Sequence, residues 1–190
     1  MLSGPRVRRA AHVFSWLLLC CALCLTTGCS SCHDEVPAVA TLIETTGASV
    51  ERDFAASMRD WQAAEVGAHF GLGDAVRTGN QAAARLTLMD QTQLQLTQNT
   101  TLRFMVDQAQ PGEQSLNVEA GEVSMRVGRK DVLLRTQIGL AKLLAGTELT
   151  LRKTGELLDY DVALGEAQFK TSSGEYKVLK AGESLEVGIG

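Results

Sequence analysis

Beyond Cys32 the chain has no cysteine. All five, Cys20, Cys21, Cys24, Cys29 and Cys32, fall in the first 32 of 190 residues. The body therefore has no thiol for a disulfide framework, a cysteine nucleophile or a thiolate zinc site. Acid is missing from residues 1–28, which hold Arg6, Arg8 and Arg9, whereas the other 162 residues carry 15 basic and 22 acidic groups. An acidic body without a Lys/Arg cluster excludes nucleic acid and an anionic membrane surface as its partners. Three prolines in the whole chain leave strands uninterrupted. The body's aromatics, Phe54, Trp61, Phe70, Phe104, Tyr160, Phe169 and Tyr176, are barely enough for a core and spare few for a sugar-stacking platform. About 160 residues suit one domain, which at that size buries roughly 70% of its unfolded surface.

The acid-free N-terminus joins a basic flank, Arg6 to Arg9, to an apolar stretch running from Val13 through Trp16 and Leu17 to Leu25, and closes on small residues. That is a signal-peptide pattern, assigned to residues 1–28. A retained anchor competes with it, because the uncharged stretch approaches the ~20 residues needed to span hydrocarbon. His12, Ser15, Thr26 and Thr27 shorten the apolar run, and no second basic flank follows. Leu25-Thr26-Thr27-Gly28-Cys29 resembles the lipobox of bacterial lipoproteins, departing at Thr26, where Leu is usual. The resemblance implies a diacylglyceryl thioether on Cys29 and a body outside the cytoplasm. Ser30 stands where an Asp, in enterobacterial lipoproteins, favours inner-membrane retention, so the same resemblance implies the outer membrane, with inner-membrane anchoring as the alternative. Cys29-Ser30-Ser31-Cys32-His33 also fits the C-x-x-C-H spacing of c-type haem attachment. Lipidation would consume the Cys29 sulfur, and Asp34, Glu35 and Pro37 follow where a haem domain supplies apolar helices. Residues 29–39 are accordingly read as a tether, with no cofactor and Cys32 a spare thiol.

From Arg85 onward the chain alternates at period two. Leu86 and Leu88, Leu94 and Leu96, then Leu102 and Phe104 share one face, linked by Asp90-Gln91-Thr92 and Gln98-Asn99-Thr100. Later pairs include Leu116 and Val118, Val123 and Met125, Leu149 and Leu151, Val162 and Leu164, and Leu185 and Val187. Short alternating strands at this spacing predict an all-β fold of stacked strands, a sandwich, roll or β-helical stack. Gly121-Glu122, Gly165-Glu166 and Gly182-Glu183 recur between strands. They read as hairpin corners where glycine takes φ > 0, in preference to a carboxylate cluster for metal or acid/base chemistry. Phe54, Met58 and Trp61, and again Ile138, Ala141 and Leu144, stand at helical spacing and suit a short helix or turn, marginal without caps.

A further pattern begins at Trp61 and Gly67, and its most specific part is Gly73-Asp74-Ala75-Val76-Arg77-Thr78-Gly79. With the strands above, these residues resemble the FecR domain. Arg85 to Asp90, Leu94-Gln95-Leu96, Leu116 to Gly121, Gly146-Thr147-Glu148-Leu149 and Ala181-Gly182-Glu183 follow in the family's order. Gln91 replaces the usual Gly after Asp90. The resemblance covers nearly all of 40–187 and implies a FecR-like β domain over 40–190 that is extracytoplasmic and works by binding. Its best-known members carry a cytoplasmic anti-sigma segment and an additional receptor-docking subdomain. Nine residues before the apolar stretch leave no room for the former, so iron-uptake signalling is not an expectation here.

Catalytic candidates are sparse. His69 is the only histidine of the body, and a lone histidine is more often a packing residue than a base. Thr150-Leu-Arg-Lys153 imitates a Ser-x-x-Lys nucleophile pattern, but residues three apart on a strand face opposite sides. Asp159 and Asp161 share a strand face without the ligands a calcium loop would add. The chain is thus read as no enzyme and without a metal site. The expected function is a lipid-anchored protein-binding or signalling module with an envelope protein partner. A structural subunit of an envelope assembly, or a peptidoglycan or sugar binder, is the alternative.

Overall fold

The structure, a computed structural model, describes residues 37–47, 49–57, 59–106, 114–136, 139–171 and 174–188. The signal peptide, Cys29 and most of the tether lie outside the described residues, as do Met58 and Ile138. Sixteen strands are present among those described, with one 3₁₀ turn, Ala55–Ser57, so the all-β expectation holds. The strands form two layers. The first runs, edge to edge, β4 (His69–Phe70), β1 (Ala40–Thr46), β6 (Ala83–Leu88), β7 (Gln93–Leu96), the second half of β9 (Gln114–Arg126), β12 (Glu148–Thr154), β13 (Leu157–Leu164) and β16 (Ser184–Gly188). The second runs β3 (Gln62–Ala63), β2 (Val50–Asp53), β5 (Ala75–Thr78), β8 (Thr101–Val106), the first half of β9, β10 (Val132–Thr136), β11 (Gly139–Leu143), β14 (Glu166–Thr171) and β15 (Tyr176–Lys180). All pairs are antiparallel except β9 with β10.

Period-two alternation makes one face of each layer apolar, and the register lines these faces up into rows. Leu42, Leu86, Leu94, Met125, Leu149 and Val162 lie side by side across the first layer. Phe104, Leu116, Leu134, Ala141 and Phe169 do the same across the second. All are buried in a single core. Each fully buried Leu or Phe side chain contributes about 1.5–3 kcal/mol, so the rows supply most of what holds the layers together.

The Gly-Glu pairs are not hairpin corners, as the sequence reading had them. At each one the chain passes from one layer to the other: β9 changes layer at Gly121, β13 passes to β14 at Gly165, and β15 to β16 at Gly182. All three glycines hold φ near +80°. Two of these crossings are closed by a buried threonine that the sequence reading missed. Thr100 Oγ1 accepts from the Glu122 N–H at 3.0 Å and lies 3.1 Å from the Glu122 carbonyl, to which it can donate. Thr147 Oγ1 accepts from the Glu166 N–H at 3.2 Å and donates to its carbonyl at 2.9 Å. A single hydroxyl thus serves both peptide groups of the residue at the crossing, and the two carbonyls also accept from the Thr97 N–H at 3.1 Å and the Leu144 N–H at 3.2 Å, so no carbonyl is stranded there.

Of the two segments expected to form a short helix or turn, the one after Phe54 does so, as the 3₁₀ turn Ala55–Ser57, with Arg59 beyond it at φ 74°. The other does not. Residues 139–143 form β11, paired on both sides by β10 and β14, so two ladders outweigh a marginal helix. Gln91, where the resemblance expects Gly, turns the β6–β7 hairpin at φ 71°. Asp90 steadies that turn, accepting from the Thr92 N–H at 3.0 Å and the Thr92 hydroxyl at 2.8 Å.

Gly121→Ala and Gly155→Ala both place a side chain at positive φ, but an added Cβ would sit 2.4 Å from Thr100 Oγ1 at Gly121 and in open space at Gly155. The Gly155 variant is expected to lose about 1–2 kcal/mol. The Gly121 variant should lose at least twice as much, measured by urea unfolding of the two proteins side by side.

Candidate functional site

The motif residues Gly73, Asp74, Val76, Arg77, Thr78 and Gly79 form one traverse of the second layer with a layer crossing at each end. Before β5 the chain arrives from β4 of the first layer; after it, the chain leaves for β6. Asp74 closes the incoming crossing. Its Oδ2 accepts from the Gly71 N–H at 2.9 Å and from Arg52 Nη2 at 3.1 Å, and its Oδ1 accepts from the Ala55 N–H at 2.9 Å. Gly73 holds φ +91°, and Ala55 Cβ lies 2.6 Å from where its own Cβ would stand. Val76 is fully buried. Thr78 closes the outgoing crossing, accepting from the Thr100 N–H at 3.0 Å and donating to the Thr97 carbonyl at 2.5 Å. The Gly79 N–H donates to the Ser49 carbonyl at 2.7 Å. Arg77 faces outward, pairs with Glu51 and lies 4.3 Å from the Trp61 ring centroid. These residues are thus joinery, and only Arg77 presents a charged group on the surface.

Beside them lies an ion network that the sequence reading did not single out. Arg103 donates to Asp53 at 3.1 Å, to Glu119 at 2.8 Å and to the Gly73 carbonyl at 2.9 Å. Asp53 is fully buried. Burial alone would raise its carboxyl, but the backbone N–H groups of Arg59 and Asp60 and the Arg103 guanidinium outweigh it and hold the group below the ordinary value. The network fastens the end of β2, the turn before β5 and β9 onto β8.

The other candidates stay apart. Glu122 pairs with Arg152 at 2.7 Å, Glu166 accepts from Gln168 at 3.0 Å, and Glu183 accepts from the Lys180 N–H at 2.8 Å, so the three glutamates form no cluster. Among the described residues no group of His, Cys, Asp and Glu could hold a metal ion. His69 is exposed on β4, its Nδ1 3.1 Å from Thr41 Oγ1. Thr150 faces Ser124 at 3.0 Å rather than Lys153.

A cleft of about 500 Å³ opens between the last strands of the two layers, among Leu140, Tyr160, Phe169, Lys177, Leu185 and Val187. Its cause is topological. In the C-terminal part of the fold the chain changes layer at Leu144–Thr147, Gly165 and Ala181–Glu183, which stack on one side: the Val127 N–H bonds the Thr147 carbonyl and the Ala181 N–H the Gly165 carbonyl. On the other side the described residues of the two layers meet through side chains, chiefly Tyr160 against Phe169 with ring centroids 4.7 Å apart. The Tyr160 hydroxyl donates to Thr136 Oγ1 at 3.1 Å, and burial pushes its phenol up to about 12.

This is a two-layer β stack built around one short, densely hydrogen-bonded traverse. The FecR protein family model matches residues 74–168, half of the chain, and the chain belongs to that family. Two crystal structures of a candidate anti-sigma factor from Parabacteroides distasonis are similar to it at 19% identity and a TM-score of 0.48, over 60% of this chain. The chain spans 59% of the length of that protein. Among curated proteins none matches.

Above about pH 5, clear of the ordinary aspartate value of 3.8, Asp53 is ionised folded or unfolded and its full contribution is present. Because the folded value is the lower one, that contribution is lost as the pH falls through it. Asp53→Asn is therefore expected to cost roughly 3 kcal/mol at neutral pH. Its stability should converge on that of the parent as acid is added, read from urea midpoints across the acid range.

Proposed function

We propose that this chain is a non-enzymatic, extracytoplasmic FecR-domain module, lipid-anchored through Cys29, that works in signalling by docking an envelope protein through the free edge of β16. The comparison of the four sheet edges carries this reading. An exposed strand edge is a template for another strand unless something blunts it. β3 and β4 are two residues long. On β15, Lys177 stands directly opposite Phe169, so a lysine points inward on the core face. β16 has no such guard: five residues long, it turns half-buried Leu185 and Val187 inward and Ser184 and Glu186 outward. A partner strand added there would gain ladder hydrogen bonds and bury its alternate side chains over Leu185 and Val187, the chemistry of strand-addition recognition. The lipobox resemblance supports the anchor, and the family membership supports a regulatory role.

A photo-crosslinking residue at Ser184 is expected to capture a discrete partner in intact cells, with a yield that changes under envelope stress, while one at Gln62 on β3 is not. Val187→Lys, which gives β16 the guard β15 already has, should reduce the adduct at least tenfold. The same adduct at the same yield with and without stress would rule out signalling. Intact-mass measurement of the mature chain from membranes is expected to show a diacylglyceryl group on Cys29; a chain still beginning at Met1 would refute the lipid anchor.

A further inference from the structure

The inner face of the second layer ends in a charge. Across the row Phe104, Leu116, Leu134, Ala141 and Phe169 every residue is apolar and buried, and the next position is Lys177. The facing row of the first layer, Val123, Leu151, Tyr160 and Leu185, stays apolar to its end. Lys177 therefore stands at the mouth of an apolar cleft, and among the described residues no carboxylate pairs with it. An ammonium group beside an apolar wall is stabilised only by an anion or by water. The cleft's volume, about 500 Å³, lies within the range of ~300–1,000 Å³ typical of small-molecule sites.

We propose that this cleft is a binding site for a long-chain carboxylate, its hydrocarbon lying between the layers against Leu140, Phe169, Leu185 and Val187 and its head group held by Lys177. The charges at the mouth favour a monoanion. Lys170 and Lys177 contribute two positive charges and Glu175 one negative, a balance of +1. Among the described residues no arginine lines the cleft, so the head group is held by ammonium as a point charge and not by a planar fork. The deep end is compatible with such a ligand, because Tyr160 keeps its phenolic proton to about 12 and sets no negative charge there. As a mere edge guard, Lys177 would do its work equally well as a glutamate. As a head-group ligand it would not, and this difference makes the two roles separable.

The test uses the full chain in phosphatidylethanolamine–phosphatidylglycerol nanodiscs, with dodecanoate carrying a terminal diazirine as the probe and peptide mass spectrometry to map the adducts. Saturable labelling of residues 139–143, 167–171 and 184–188, displaced by unlabelled dodecanoate, is expected. Lys177→Glu should lower it about tenfold, as loss of one charge-assisted contact implies, and Lys177→Arg should keep it. Lys177→Gln, which introduces no repulsion, should also lower it, and thermal melts of all three variants confirm folding. A dodecanol probe with the same diazirine should be indifferent to all three substitutions. Labelling elsewhere in the chain, labelling not displaced by dodecanoate, or equal labelling of parent and Lys177→Glu would overturn the proposal. If the Ser184 crosslink to a protein partner persists in any of these cases, the docking reading stands and only the ligand is refuted.

Discussion

A backbone that leaves one ladder and enters another must not strand its peptide groups, and the fold is organised around meeting that demand in the middle of β9. Its first half is paired by β8 and β10, its second by β7 and β12, so the strand belongs to both layers. The change happens at Gly121, at φ +84° and with Thr100 backbone so close that no side chain fits. Because hydrogen bonding continues through β9, the two layers are one network of sixteen strands. The core rows on either side inherit their register from it. Repacking of one layer against the other is consequently constrained by backbone as well as by side chains.

The two parts of the molecule then diverge. Near the N-terminal part, layer crossings lie on both sides, with Asp74 closing one and Thr78 the other, and the Arg103 network adds a further fastening. Toward the C-terminus the crossings collect on one side. What the family motif supplies is thus rigidity at one end, and what its absence at the other end leaves is a cleft flanked by two free edges. The proposed binding surfaces fall where the joinery stops, as is usual when a stiff scaffold presents a less constrained rim.

Much of this was legible in the residues. Leucines at period two mark the inner faces of β6, β7, β8 and β12, and the motif from Gly73 to Gly79 marks a constrained segment, because glycines and a short acid there have few other uses. Other features were hidden because they depend on partners far along the chain. Ala141 at helical spacing from Leu144 looks like helix until β10 and β14 are placed on either side of it. Thr100 reads as a turn residue and Thr147 as part of a family segment, and nothing local shows that each faces a Gly-Glu pair roughly twenty positions later. The Gly-Glu pairs themselves were found as corners, but whether a corner returns within a layer or changes layer is decided only by pairing. The cleft was the least visible element: Lys177 is an ordinary lysine in an alternating strand until Phe169 is set opposite it.

The place where the described fold begins has a mechanical consequence. β1 is an internal strand, held by β6 along its length and by β4 at its start. Tension drawn along the chain from its N-terminal side would load that ladder in shear, with several hydrogen bonds resisting together, rather than peel them one after another. A pull along the strand from that side would thus meet a ladder whose bonds resist as a unit.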